Sequence, residues 1–411
     1  MVLYSAAHGG FAGQPVPLGG GAAVCNLLLD EWERTRPFPV RLLDSSLLGA
    51  DAPQAKDIVR FSEGDYARFC RAFERRVTSE IRRYPPEDVV VLANDISEGP
   101  DFAGLAREGY RLYTIYHVDV VAYISAIYLK GWISPASLAR WTRRLPWMPD
   151  LASLIFRKQR ASLEHSQRVI VPSAGMKETL LRSYPETPAG RISVQPWGAP
   201  GVAVNEPEVS IALGELRHEY QIPRDALIML TLSRISPEKG QDLLLEALLR
   251  WERQGGLPSQ PLWLFLCGEA AYMQGARFLA QLKSMASRLR EVRVWFPGYL
   301  EGARKEGFLR LAHLYVFPSR HESYGLTLME ALRAGVPAVC LDHSGARELM
   351  RPEFGAIVTG EPVDGLGEAI RRMLSDPVRR AECGEQARAF AAGQPFSLAA
   401  ERLAQLLTME S

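Results

Sequence analysis

Short, nearly unbroken apolar runs recur along this chain and limit its fold more than any other feature. VVVLAN at 89–94, LIMLTL at 227–232 and LWLFLC at 262–267 show no alternation of apolar and polar residues. A strand with one face in water alternates, whereas a strand covered on both faces reads apolar at successive positions. Similar runs lie at 2–7, 40–46, 111–118, 168–172 and 192–197, and again at 292–296, 313–317, 338–341 and 356–358. Helical patterns fall between them, at 241–251, 278–289, 325–334, 367–374 and 378–392. Strands buried on both faces and alternating with helices predict an α/β chain of doubly wound parallel sheets.

The chain has 411 residues, enough for two or three domains at roughly 100–200 residues each. The segment PWGAPGVAVNEP at 196–207 has no helical pattern and is the natural linker. The expected division is a first Rossmann-like domain at 1–195 and a second at 208–390. A C-terminal helix in 391–411 packs back on the first domain. Two such domains would face each other across a deep cleft, and ligands collect outside the carboxyl ends of parallel strands.

The formal net charge of +1 gives no field that would attract nucleic acid. The five cysteines, Cys25, Cys70, Cys267, Cys340 and Cys383, form no C-x-x-C pair, which points to a reducing compartment without a zinc site. No basic stretch followed by an apolar one marks a leader, and no uncharged run approaches the ~20 residues of a spanning helix. A cytoplasmic protein is expected.

Two motifs carry chemistry. SRISPEKG at 233–240 follows the run LIMLTL and precedes an amphipathic helix. Arg234 thus stands at a strand end and Lys239 at a helix start, where two cations can grip phosphate oxygens. PSRHESYGLTLMEA at 318–331 ends another apolar run and opens a helix near Gly325, with Glu322 in the loop and Glu330 eight positions later. A helix start attracts anions through its free N–H groups and its dipole. One anion seat flanked by two carboxylates suits a sugar–diphosphate–nucleoside. Either motif alone is weak, since a loop cation or a pair of surface glutamates is common.

Together, in this order, they resemble the nucleotide-sugar-binding half of the GT-B retaining glycosyltransferases, glycosyltransferase family 4, over about 226–388. The resemblance implies that Arg234 and Lys239 hold the diphosphate, that Glu322 meets the donor sugar and that Glu330 meets the ribose. It further implies that Ser323 and the backbone amides of Tyr324, Gly325, Leu326 and Thr327 serve sugar and phosphate, and that Tyr299 lies in the base-contacting loop. The implied co-substrate is a UDP- or GDP-type nucleotide sugar. No cofactor and no metal are expected, because Arg, Lys and a helix start balance the diphosphate.

In the first half, LGGGAAVCN at 18–26 puts glycines before a helix. The family places this loop against the acceptor and the transferring phosphate, which singles out Gly20 and Gly21. His117 ends the run RLYTIYHV, where family members carry a His that contacts the donor sugar and helps organise the reaction; a half-buried structural His is the alternative. Asp119 does not match the family pattern. Asn94 and Asp95 end VVVLAND and can face an acceptor or cap a helix. Ser173 reads as a helix cap. The segment 141–160, WTRRLPWMPDLASLIFRKQR, is either a surface subdomain over the acceptor site or a peripheral contact with the inner face of a membrane.

The expected activity is therefore retaining transfer of a hexose-type sugar to a hydroxyl of a saccharide, a lipid-linked glycan or a small molecule. A nucleotide-sugar epimerase and a non-catalytic sugar-nucleotide-binding subunit remain as alternatives. A nicotinamide dehydrogenase would need a cleaner glycine fingerprint than LGGGAAVCN.

Overall fold

The protein is described by a computed structural model over residues 1–8, 19–53, 61–125, 132–141, 149–202, 204–270 and 272–409. These residues form two compact units, Met1–Trp197 with Ser397–Ser411, and Gly198–Phe396.

The first unit is built on six parallel strands: β1 Val2–Ser5, β2 Val40–Leu43, β3 Val90–Ala93, β4 Arg111–Ile115, β5 Arg168–Val171 and β6 Ile192–Val194. Their order is β2-β1-β3-β4-β5-β6. Each apolar run of the first half becomes a strand, but each strand stops one to three residues before its run does. The leftover residues, Asn94 and His117 among them, therefore lie in the loops beyond the carboxyl ends. The helix Glu63–Ile81 packs Phe69, Phe73, Val77 and Ile81 into one buried cluster with Leu3, Val91 and Leu112. Tyr116, Phe156, Val171, Leu180 and Tyr184 form a second. The last helix, Phe396–Met409, also serves this unit. It buries Leu403 and Leu407, and its Ala399 and Ala400 carbonyls accept from Gln195 Nε2 at 2.9 Å and Trp32 Nε1 at 3.1 Å.

The second unit holds β7 Leu227–Leu232, β8 Leu262–Cys267, β9 Val292–Gly298, β10 Leu314–Phe317, β11 Ala338–Leu341 and β12 Gly355–Val358. They are parallel, in the order β12-β11-β10-β7-β8-β9. Every residue of β7 and β8 is buried. A fully buried Leu or Ile side chain contributes about 1.5–3 kcal/mol, so these two strands anchor the unit. Ala199, in the segment read as a linker, is pinned: its N–H donates to Gln394 O at 2.7 Å and its carbonyl accepts from Phe396 N at 2.9 Å. The end of that segment starts the helix Glu206–Glu219, capped by Asn205.

In each sheet the chain reverses its direction of travel at one place, between β1 and β3 in the first and between β7 and β10 in the second. The loops leaving two neighbouring strands there run to opposite faces and open a crevice, where open α/β sheets bind ligands.

Candidate active site

In the second unit, the loops after β7 and β10 flank the reversal point. The β7 loop carries Arg234 and then a short 3-10 turn, Pro237–Lys239. Gly240 follows with φ 66°, in the left-handed region. It caps the helix Gln241–Gln254. Glycine is required there for a second reason: a Cβ would stand 1.9 Å from Pro318 O, the backbone of the β10 loop. Gln241 Nε2 fixes the loop from inside by donating to Arg234 O at 2.8 Å and Ser233 Oγ at 2.9 Å. Arg234 Nη2 lies 3.9 Å from Glu238 Oε1, too far for a good hydrogen bond, so its fork is only loosely engaged on that side.

The β10 loop is clamped to the β7 loop by Arg320. Its guanidinium forks onto Asp242 at 2.8 Å on both oxygens, Nη1 donates to Pro237 O, and its backbone N–H donates to Glu238 O at 2.8 Å. Beyond it, Glu322 Oε2 accepts from Lys239 Nζ at 2.6 Å, with only 19% and 13% of the two side chains exposed. Burial alone would raise the Glu322 carboxyl. The charge and hydrogen bond of Lys239, helped by His343 and Arg234, outweigh it and hold the group below its ordinary range. The two motifs thus meet at a single ion pair.

The helix after this loop is Leu326–Arg333, with Gly325 as its left-handed cap at φ 108°. Its first amides, those of Leu326 and Thr327, have no partner within the helix by geometry and point out of its N-terminus. The side chains around them are committed to the scaffold. Tyr324 is buried and its hydroxyl accepts from Gly198 N at 2.7 Å; Thr327 Oγ1 bonds Tyr315 OH at 2.8 Å. Ser323 is partly buried between Glu322 and Tyr324. Glu330, one turn on, is largely buried and takes Lys305 Nζ at 2.8 Å. Tyr299, just past β9, is 38% exposed, and burial raises its phenol with Glu301, Lys305 and Glu330 nearby. It therefore shares its surroundings with Glu330.

In the first unit, Asn94 is the hub of a smaller cluster. Its Oδ1 accepts from Tyr4 OH at 2.8 Å and from His117 Nε2 at 3.2 Å, and its Nδ2 donates to Gly21 O at 3.1 Å. Because Oδ1 can only accept, the His117 proton sits on Nε2. Burial lowers His117 to about 4, so the ring is neutral at pH 7 and offers Nδ1 as an acceptor. Gly20 and Gly21 do not form a loop: Gly19 caps the helix Gly20–Thr35 and the other two are its first turn. The missing side chain matters at Gly21, where a Cβ would come within 2.9 Å of the His117 ring, but not at Gly20, where it would meet nothing within 4 Å. Asp95 is pushed up to about 6 by burial and by the charge of Glu98.

Asp119 is a scaffold residue. It is buried, caps the turn Val120–Tyr123, and accepts from Gln159 and Ser183. Ser173 caps the helix Ala174–Ser183, its Oγ accepting from Met176 N at 3.1 Å. Of the segment 141–160, residues 142–148 lie outside the described ones; Trp141 is exposed, and the helix Asp150–His165 follows. Among the described residues no helix is long and apolar enough to cross a membrane, and no group of three His, Cys, Asp or Glu could hold a metal.

Residues 214–390 match the sequence model of the family described as Glycosyl transferases group 1. The second unit is a glycosyl transferases group 1 domain. This glycosyltransferase domain contains Arg234, Lys239, Glu322 and Glu330. Over the whole chain the two-sheet architecture is the GT-B fold. The Anabaena HepE protein in complex with UDP and glucose superposes with TM-score 0.67 at 17% identity, covering 99% of each chain. Sucrose-phosphate synthase from Thermosynechococcus elongatus gives TM-score 0.72 at 19% identity, over 98% of this chain and 97% of that one. Among curated proteins, a GDP-mannose-dependent monoacylated alpha-(1-6)-phosphatidylinositol monomannoside mannosyltransferase of Corynebacterium glutamicum is 31% identical over 187 residues, 43% of this chain and 46% of that protein. Mannosylfructose-phosphate synthase of Agrobacterium fabrum is 35% identical over 120 residues, 29% of this chain and 26% of that protein. The chain spans about half the length, or less, of the curated relatives it matches.

Three residues of the glycosyltransferase domain are not singled out by its motifs. Arg320 sits inside PSRHES, and the carboxylate it needs, Asp242, is 78 positions away. Lys305 belongs to the helix Gly302–Leu311, whose sequence GARKEGFLRL reads as a solvated face. His343 caps the helix Ser344–Leu349 and packs edge-on to Phe317, with ring centroids 5.2 Å apart. The only sequence signal for any of them is position after a strand end, which Arg320 and His343 share with Arg234.

Proposed function

We propose that the protein is a retaining glycosyltransferase that moves a hexose-type sugar from a nucleotide-diphosphate sugar to an acceptor hydroxyl. The observation that carries this reading is the Lys239–Glu322 pair at the reversal point of the second sheet, with Arg234 beside it and a helix N-terminus adjoining. Once Lys239 and Arg234 have turned to the bound diphosphate, their charges need no further reorganisation as it leaves and its charge grows. Glu322 stays ionised in this setting and suits a sugar that becomes cationic as the bond breaks. Glu330 suits a ribose, since a carboxylate accepts from paired hydroxyls. The family resemblance supports the same roles.

The first unit contributes the acceptor side. Asn94 and Asp95 are assigned to the acceptor, and neutral His117, with Nδ1 able to accept from a sugar hydroxyl, to the donor sugar. The departing phosphate takes the acceptor's proton on the face it leaves, so that configuration is retained. A GDP-linked hexose is the first donor to try, because relatives are named GDP-mannose-dependent; a UDP-linked hexose is the second. The acceptor class to try first is a polyol or sugar phosphate, because relatives are named D-inositol 3-phosphate glycosyltransferase and mannosylfructose-phosphate synthase.

Arg234, Lys239 and the helix start balance the diphosphate, so transfer is expected without a divalent ion. The test is a thermal-unfolding panel of nucleotide sugars, with transfer then followed by proton NMR in excess chelator. An axial-to-axial or equatorial-to-equatorial product from the ligand that protects best supports the reading. Protection by none of them, an inverted anomer, or activity that chelator abolishes and magnesium restores counts against it.

A further inference from the structure

The ion pair that defines the site is also its difficulty. If Lys239 turns to a bound diphosphate, as the proposed function requires, the Glu322 carboxylate loses its closest partner while mostly buried. Removing one member of such a pair is costly, because the other is left desolvated and uncompensated.

His343 stands where a replacement is needed. The residue is 6% exposed. Nδ1 accepts from Ala346 N at 3.0 Å, which fixes the proton on Nε2. That Nε2–H is buried and has no hydrogen-bond partner among the described residues, a rare condition in a folded protein. The turn bearing the ring is tied to the residue it would serve, since Gly345 N donates to Glu322 O at 3.0 Å. Phe317 holds the ring edge-on.

We infer that His343 is a positioning residue whose Nε2–H takes over the Glu322 carboxylate when Lys239 engages the donor diphosphate. The exchange moves hydrogen bonds and no proton. Glu322 is faced by Lys239, Arg234 and His343; His343 is faced by Glu322, Lys239, His321 and Asp342. Burial holds the imidazole neutral, down to about 4, although Glu322 pulls the other way. A neutral donor is what the exchange needs, because it leaves the added negative charge of the diphosphate to Lys239.

The inference rests on the proposed function and is tested by calorimetric titration of the full chain at pH 6. GDP and UDP are used in two buffers of different ionisation enthalpy, with guanosine and uridine as ligands that lack the diphosphate. His343→Asn keeps an oxygen that can cap the helix and removes the donor at ring reach. His343→Gln keeps such a donor and loses the cap. His343→Asn is expected to bind the diphosphate about tenfold more weakly than wild type, and to take up an extra fraction of a proton as Glu322 protonates. Its binding of the nucleoside should not change, and His343→Gln should restore both quantities toward wild type. Wild-type affinity and proton uptake in His343→Asn, equal loss for diphosphate and nucleoside, or no recovery in His343→Gln overturns the inference alone. Wild-type protein that binds neither GDP, UDP nor their sugars overturns the proposed function and this inference with it.

Discussion

Glu322 and Glu330 have different partners, and their substitutions should separate. Glu322 is held ionised against Lys239. In the proposed function it lies where positive charge develops on the sugar, an interaction that strengthens in the transition state and so acts on kcat. Glu322→Gln is expected to lower kcat by about 100-fold, the scale of a lost transition-state contact of ~2.7 kcal/mol. Glu330 pairs with Lys305; in the same proposed function it meets the ribose, a spectator to bond cleavage, and its substitution should change donor KM alone. Steady-state kinetics of both variants at saturating acceptor decide it; a wild-type kcat in Glu322→Gln removes the carboxylate from the reacting sugar. A second residue-scale expectation concerns acid. His117 and His343 each sit near 4 in the folded chain because burial disfavours their charged form, against an ordinary 6.5. The unfolded chain therefore binds protons first as pH falls. The stability these rings give is complete above about 6.5 and is lost between there and about 4, on the order of 3 kcal/mol for the more buried His343. Urea midpoints from pH 7.5 to 4.5 should fall for wild type and fall less steeply for His343→Asn.

At the scale of elements, the site depends on two loops held backbone to backbone. Gly240 lets them touch at Pro318, and Arg320 rivets them to Asp242 and Pro237. Gly240→Ala places a Cβ into a carbonyl and also strains a left-handed backbone, so it should cost about 1–3 kcal/mol. Arg320→Ala removes a forked, partly buried ion pair and should cost about 1.5–3 kcal/mol. Both should weaken nucleotide binding without either residue touching the ligand; calorimetric titration with GDP and UDP, together with chemical unfolding, measures both effects. Unchanged affinity in both variants means the loops do not need each other. This is also where the sequence was least informative. The fully buried strands, β1, β3, β7, β8, β10 and β11, were legible because burial on both faces leaves an apolar run, and Arg234, Lys239, Glu322 and Glu330 were legible because their spacing within a strand–loop–helix is local. That Lys239 pairs with Glu322, or Arg320 with Asp242, depends on β7 and β10 being neighbours in a sheet where β8 and β9 intervene in the chain. No local pattern records that adjacency. Gly20 and Gly21 misled for a related reason: glycines ahead of a helix look like a loop until Gly19 is seen to be the cap.

At the scale of the whole molecule, the helix Phe396–Met409 belongs to the first unit although it follows the second in the chain. Past Phe396 it buries Leu403 and Leu407 and accepts from Trp32 and Gln195. At about 1.5–3 kcal/mol for each large side chain, deleting residues 397–411 should remove several kcal/mol, comparable with the whole stability of an ordinary domain. Thermal unfolding of the truncated chain should therefore show the first unit melting early while the second keeps its transition. A single unshifted transition would mean the helix adds nothing. The crossing also has a consequence for synthesis on the ribosome. Domains generally complete in the order they emerge, N-terminal first, at about 5–20 residues per second. Here residues 397–409 leave the exit tunnel only after all of 198–396 have done so. The unit translated first is thus the one completed last, and for ten seconds or more (about 200 residues at that pace) it waits with the seat of its final helix open. A cell making this protein must shield that seat during translation, most of all when elongation through the second unit is slow.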